Sequence, residues 1–100
     1  MENVAAKKQL NRAIKRAINI LDRPKGACKI IRINDPNCPF HIEYCRYKEV
    51  RKIRVTIKSI SEEDVSLCQE WHLNETVFTK EIWCTEANGY GFIYKEIKEI

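Results

Sequence analysis

The chain has 100 residues, of which 44% are hydrophobic and 32% are charged, so we expect one small globular domain, 1–100, with a core just large enough to fold unaided. No apolar run approaches the roughly 18 residues of a membrane span, and Met1-Glu2-Asn3 lacks the apolar segment of a secretory signal. This excludes a transmembrane protein and predicts a soluble protein that stays in the cytoplasm, with no membrane partner.

The net charge of +4 is unevenly distributed. Residues 1–58 contain fifteen Lys and Arg against five Asp and Glu, whereas residues 59–100 contain three against nine. The asymmetry indicates a basic face that could meet phosphates, a protein partner or the acidic half of the same chain. The alternative is a solvated surface whose charges segregate only along the sequence.

The five cysteines are Cys28, Cys38, Cys45, Cys68 and Cys84. Their odd number and the absence of a C-x-x-C pair predict buried reduced thiols rather than disulfides. One alternative is zinc: Cys38, His41 and Cys45 are spaced C-x2-H-x3-C, and Cys68 with His72 forms C-x3-H. The spacing matches no zinc motif, so we predict no metal and no cofactor.

Residues 4–22 predict an amphipathic helix with one apolar stripe. The stripe consists of Leu10, Ala13, Ile14, Ala17, Ile18 and Leu21. Lys8, Arg12, Lys15 and Arg16 lie largely on the other side. Because the stripe is rich in Ala and has no aromatic anchor, it favours packing on a sheet over lying on a membrane.

Three strands should follow the helix, over residues 28–33, 40–47 and 50–60. The last two alternate apolar and polar residues and should pair as antiparallel neighbours. The period of two in the third strand places Ile53, Val55 and Ile57 on a core face. The opposite face receives Lys52, Arg54, Thr56 and Lys58, which we call the β3 row.

The second half of the chain predicts a helix and a hairpin. Ser61 with the acids of 62–64 is typical of a helix N-cap and its acidic first turn, so a helix should run from residue 62 to about residue 72. Residues 80–85 and 90–95 should pair through a turn at 86–89, where Asn-Gly supplies positive φ angles. The order α-β-β-β-α-β-β predicts an α+β fold whose mixed sheet carries the N-terminal helix on one face.

This order, together with Pro39-Phe40-His41-Ile42 and Val55-Thr56-Ile57-Lys58-Ser59, resembles the PD-(D/E)XK nuclease superfamily. The resemblance is in particular to the small archaeal Holliday-junction resolvases and the VRR-type nuclease domains, and it implies a restriction-endonuclease-like fold. In that family an Asp on the second strand and a Glu/Asp-x-Lys on the third hold the catalytic metal. Here His41 and Thr56 replace the two acids, and only Lys58 is unchanged.

The resemblance therefore implies a degenerate active site formed by His41, Thr56 and Lys58, with Glu43 or Asp35 as the acids that could rebuild it. Thr56 and a neutral imidazole are poor ligands for a magnesium ion. Without bound metal, little remains to activate a water molecule. We expect no catalytic residues, or, if the chain is active, a metal-dependent nuclease with a rearranged site.

Two functional hypotheses remain. In the first, the domain binds DNA or RNA without cutting it, through phosphate contacts of the β3 row, which carry no sequence information. The predicted contact residues are Lys52, Arg54, Lys58, Arg46 and Lys48. In the second, a small inhibitor or adaptor binds a larger protein through its basic face or a sheet edge. A homodimer through an exposed edge fits either.

The two hypotheses depend on whether the β3 row is displayed or covered. If it is displayed, it concentrates positive charge on one surface. If another segment covers it, the cations need partners, because an unpaired buried ammonium is destabilising by several kcal/mol. The acids of 62–64 and 81–86 are then the expected partners.

Overall fold

The computed structural model describes residues 4–23, 28–47, 49–71, 79–86 and 91–98. Its elements are α1 (Val4–Leu21), β1 (Cys28–Arg32), β2 (Ile42–Arg46), β3 (Glu49–Thr56), α2 (Glu62–Glu70), β4 (Thr79–Thr85) and β5 (Phe92–Ile97). This is the predicted order. Lys48, His72 and most of the predicted 86–89 turn lie outside the described residues.

All five strands form one sheet in the order β1-β2-β3-β4-β5. β3 and β4 are parallel, and the other neighbouring strands are antiparallel. The parallel pair needs a crossover connection, because parallel neighbours cannot be joined by a tight turn, and α2 lies within that connection. The α+β class, the mixed sheet and the pairing of the second and third strands are confirmed.

α1 packs across β2 and β3 on one face of the sheet. Its stripe is buried at Ala13, Ile14, Ala17 and Leu21, and Leu10 and Ile18 pack against the same core from its edge. The stripe meets inward residues of the strands, among them Ile42, Tyr44, Ile53, Val55 and Trp83. The predicted packing of the first helix is confirmed.

α2 covers part of the other face. It begins at Ser61, whose hydroxyl accepts a hydrogen bond from the Asp64 N–H while the Asp64 carboxylate accepts one from the Ser61 N–H. This capping box satisfies two donors at the helix start. Below α2 lies a second apolar cluster of Phe40, Cys68, Ile82 and Ile97. Each face of the sheet therefore carries a buried apolar cluster, and Lys52, Arg54 and Thr56 of the β3 row lie on the α2 side.

Within the described ranges, no helix is long and apolar enough to cross a membrane. Both chain-end elements, α1 and β5, instead bury apolar residues against the same domain core.

Candidate functional site

Lys52 lies inside the domain rather than on a binding surface. The residue is 7% exposed, and its ammonium pairs with the carboxylate of Glu43. Glu43 is the register partner of Lys52 on the neighbouring strand β2, and paired residues on adjacent strands project from the same face. The acids of 62–64 and 81–86 were the expected partners of the covered cations. For Lys52 this expectation is wrong, because Glu43 on the neighbouring strand forms the ion pair.

Arg54 is held by α2 and by the segment that precedes β2. Its Nε donates to Asp64 Oδ1 at 2.9 Å, and its Nη1 donates to the Pro39 carbonyl at 2.8 Å. Burial opposes ionisation of Asp64, but hydrogen bonds from Ser61 and Arg54 outweigh it and hold the pKa of Asp64 below its ordinary value. This pair comes from the predicted acidic segment 62–64, so the geometry favours the covered alternative for both Lys52 and Arg54.

His41 has a backbone role. Its Nδ1 accepts a hydrogen bond from the Val55 N–H at 2.9 Å, just beyond the last paired residues of β2 and β3. Burial is the main cause that lowers the pKa of His41 to about 4, and the charges of Arg54 and Arg32 add to it. The imidazole is therefore neutral at pH 7, and its lone pair is already engaged.

The other members of the degenerate active site are also separated. Thr56 is buried on the α2 side, and its hydroxyl has no hydrogen-bond partner among the described residues. Glu43 is committed to Lys52, and the carboxylate of Asp35 accepts a hydrogen bond from the Asn37 N–H at 2.9 Å within its own turn. Each of the candidate acids thus has a structural partner of its own.

The cysteines are free thiols. Cys38 and Cys68 belong to the same apolar cluster under α2, and burial raises the pKa of Cys68 to about 11. His72 of the alternative zinc set lies outside the described residues. In the part of the chain that the structure describes, no three His, Cys, Asp or Glu side chains cluster as metal ligands would.

Lys58 leaves the β3 row. β3 ends at Thr56, and Lys58 has a left-handed backbone with φ 64°, which breaks the alternation that the sequence pattern assumes. Its N–H donates to Thr85 Oγ1 at 2.9 Å. Thr85 ends β4, so this bond ties together the carboxyl ends of the two parallel strands.

At these strand ends Lys58 meets α1. The α1 cleft, as we call it, has a volume of about 190 Å³ and is lined by Gln9, Arg12, Arg16, Ile57, Lys58, Thr85 and Glu86. Arg16 lies over the Phe92 ring, with its guanidinium carbon 6.0 Å from the ring centre. Its Nε is buried and has no hydrogen-bond partner in the described structure.

The cations of α1 are candidate functional residues that the predicted contact set did not include. The helix contains five cations and no acid: Lys7, Lys8, Arg12, Lys15 and Arg16. The sequence pattern places four of them, Lys8, Arg12, Lys15 and Arg16, largely opposite the apolar stripe, and Lys8, Arg12 and Lys15 are indeed exposed. The sequence signal that identifies them is the absence of Asp and Glu from α1, since a helix face that is only solvated usually carries residues of both charges.

Two further contacts are predicted from the sequence, Arg46 and Lys48. Arg46 is exposed at the end of β2 and lines a different groove, on the α1 side near the start of β3. Lys48 is outside the described residues. Of the two tyrosines near Arg46, Tyr44 is buried in the α1 core and Tyr47 is 85% exposed.

No protein-family model, no curated protein and no solved structure matches the chain.

Proposed function

We propose that this domain binds nucleic acid through its phosphate groups without cleaving them, and that the α1 cleft is the centre of the contact. The observation that carries the proposal is the convergence of Arg12, Arg16 and Lys58 where two parallel strands end. Ligands of open α/β sheets commonly bind beyond the carboxyl ends of strands. The only carboxylate among the residues that line the cleft is Glu86.

The size and chemistry of the α1 cleft suit a phosphate group. Pockets for drug-sized ligands usually occupy about 300–1,000 Å³, so about 190 Å³ suits a smaller group. Arg presents planar donors that match phosphate oxygens, and Lys adds a compact charge. Lys8 and Lys15 extend the positive surface along α1, where further phosphates of a polymer would lie.

The absence of cleavage is proposed from the same geometry. Phosphodiester hydrolysis in the PD-(D/E)XK family depends on metal held by carboxylates, and here His41 and Thr56 occupy the two acidic positions of the resemblance. His41 is a hydrogen-bond acceptor for the backbone, and Glu43 is engaged by Lys52. The α-β-β-β-α-β order supports the resemblance, but the side chains support binding rather than catalysis.

The test is a titration of fluorescent duplex, single-stranded and branched DNA at several salt concentrations. Each lost phosphate contact should flatten the log-log salt dependence by about 0.9 for duplex and about 0.7 for single strands. The variant Arg12→Gln/Lys58→Gln should therefore lose nearly two units of slope on duplex DNA. The matched control Lys29→Gln/Lys95→Gln removes the same charge from exposed positions outside the cleft and should change the slope far less.

Equal losses in the two variants would mean that only net charge matters and that the cleft is not the site. In the same preparations, linear and branched DNA should remain intact with Mg²⁺ or Mn²⁺. Metal-dependent cleavage that Lys58→Ala abolishes would contradict the proposed loss of catalysis.

A protein partner is the second candidate, favoured by the outer strand β5. Ile93 and Tyr94 are 58% and 55% exposed on this edge of the sheet, and an edge strand can pair with another chain. A folded protein that binds none of these DNA probes at low salt would support this candidate, with a homodimer as its simplest form.

A further inference from the structure

A second groove lies on the α1 side of the sheet, near the amino ends of β3 and β4. Its volume is about 380 Å³, within the usual range for a small organic ligand. Its polar and aromatic walls come from Tyr44, Arg46, Glu49, Arg51, Trp83 and Tyr94. We call it the Arg51 groove, since the Arg51 guanidinium is its most constrained donor.

Three neighbours hold the guanidinium. Its Nε and Nη2 donate to the two oxygens of Glu81 at 2.6 and 2.7 Å. Its central carbon lies 5.4 Å from the centre of the Tyr44 ring and 5.8 Å from that of Trp83, within the range of cation–π attraction. Arg51 is thus fixed before any ligand arrives.

The ion pair uses only one edge of the guanidinium. The Glu81 carboxylate also accepts from Trp83 Nε1 at 3.2 Å and from Thr79 Oγ1 at 3.3 Å, so its own capacity is filled. Arg has five N–H donors in a fixed fork, and two of them serve Glu81. The end edge, formed by Nη1 and the second N–H of Nη2, donates to no group in the described part of the chain.

An aromatic face and a carboxylate accompany these donors. Tyr94 is 55% exposed and meets Trp83 edge-on, with ring centres 4.6 Å apart and planes at 82°. Glu49 is exposed and lies two residues before Arg51, so both project from the same face of β3. The groove therefore offers paired donors, a carboxylate acceptor and a ring for stacking.

We infer that the Arg51 groove binds a guanine base, either in a single strand or as a free nucleotide. The end edge of Arg51 matches the acceptors O6 and N7 of guanine, as a bidentate Arg does elsewhere. The Glu49 carboxylate can accept from the N1–H and N2–H donors of the same base, and Tyr94 can stack on its face. Adenine presents an amino donor where guanine has O6, which repels the Arg51 donors.

The inference rests on the proposed function in its single-strand form, and the test separates the two. The probes are labelled single-stranded decamers of thymidine that carry guanine, adenine or an abasic sugar at one central position, together with free GMP and AMP. Their backbones are identical, so only the base differs. One bidentate contact discriminates by about 1–3 kcal/mol, or about 5-fold to 150-fold. We expect at least about 5-fold tighter binding of the guanine decamer than of the adenine decamer, and of GMP than of AMP.

Variants assign the preference to the groove while keeping the Arg51–Glu81 pair. Glu49→Gln should reduce the guanine preference by about threefold or more, because the amide replaces one of the two acceptor oxygens with a donor. Tyr94→Ser should weaken binding of the guanine and adenine decamers alike, because stacking is sequence-tolerant. Tyr47→Ser is the matched control, because this exposed tyrosine lies outside the groove lining, and it should retain the preference. Circular dichroism and thermal melting show which variants are folded.

If all three decamers bind equally and Arg12→Gln/Lys58→Gln weakens all of them, the guanine inference is overturned while the proposed function stands. If GMP binds in preference to AMP and no decamer binds, the guanine site stands and nucleic-acid binding fails. If Glu49→Gln keeps the full guanine preference and Tyr94→Ser binds the guanine and adenine decamers as tightly as the parent does, the Arg51 groove is not the source of the preference.

Discussion

The cations of β3 and the cations around the α1 cleft carry the same formal charge but differ in burial and in pairing. Lys52 and Arg54 lie between two packed layers, and each has a carboxylate partner. Arg12 and Lys58 are exposed, and Arg16 lies half-buried between them and the core. A strand covered on both faces turns a row of cations into internal structure, whereas a helix with one buried stripe leaves its cations available to a ligand.

The largest effect expected from this comparison is on stability. Glu43→Ala leaves the Lys52 ammonium buried without its partner, and breaking a buried pair from one side is destabilising by about 3–5 kcal/mol. Because Glu43 itself is partly exposed, we expect the lower end, a loss of about 3 kcal/mol in the free energy of unfolding. Urea denaturation measures it.

The double variant Glu43→Leu/Lys52→Met is the control for that prediction. Replacing a buried pair by apolar residues of similar size is often neutral or stabilising, so most of the lost stability should return. A Glu43→Ala protein within 0.5 kcal/mol of the parent would show that Lys52 reaches solvent, and the β3 row would again be a candidate binding surface.

The second effect depends on pH. The folded pKa of His41 is about 4, below its ordinary 6.5, so the unfolded chain binds the proton more tightly. The contribution of His41 is fully present above about pH 6.5 and is lost as the pH falls toward 4. Linkage gives a loss of about 2 kcal/mol by pH 5.

His41→Asn provides the comparison for this titration, because the Asn amide oxygen can accept the Val55 N–H without binding a proton. The stability difference between parent and variant should shrink or reverse between pH 7 and pH 5. Parallel stability curves over that interval would mean that His41 is accessible in the folded state and available for proton transfer.

The third effect tests whether Lys58 is held in its left-handed backbone for function. An L-residue in that region is destabilised by about 1–2 kcal/mol, whereas Gly adopts it freely but loses more chain entropy. Lys58→Gly should therefore raise the free energy of unfolding by about 0.5–1 kcal/mol and weaken DNA binding. A variant that is more stable and binds equally well would remove Lys58 from the proposed site.

These contrasts also show what sequence reasoning could reach. The stripe of α1 and the alternation of β3 each have a period that one buried face imposes, so the elements and their pairing were predictable. The same alternation could not show that α2 covers the second face, because coverage depends on the β3-α2-β4 crossover. It also predicted that Lys58 belongs to the third strand, whereas β3 ends at Thr56 and Lys58 has a left-handed backbone.

The Arg51 groove could not be predicted from the sequence, for a different reason. Arg51, Glu81 and Tyr94 lie on three strands, and only the parallel register of β3 with β4 and the antiparallel register of β4 with β5 bring them together. Residues so far apart in the sequence form no short motif that would predict their contact.

The smallest expected effect on stability is at the outer surface of α1. Lys8 and Lys15 are exposed there, each near Arg12 at helical spacings of four and three residues. Like charges at these spacings are mutually destabilising by about 0.2–0.5 kcal/mol per pair. Gln has nearly the helix propensity of Lys, so Lys8→Gln/Lys15→Gln should leave the free energy of unfolding unchanged or raise it by a few tenths of a kcal/mol.

The same variant should nevertheless lose nucleic-acid affinity, with the salt slope on duplex DNA falling by about 0.9 for each of the two residues that contacts a phosphate. Stability and binding thus move in opposite directions on α1, whereas on β3 the loss of a charge partner first destabilises the fold. A slope unchanged in Lys8→Gln/Lys15→Gln but reduced in Arg12→Gln/Lys58→Gln would confine the contact to the cleft itself. Phosphates would then be recognised singly at the strand ends rather than along the helix.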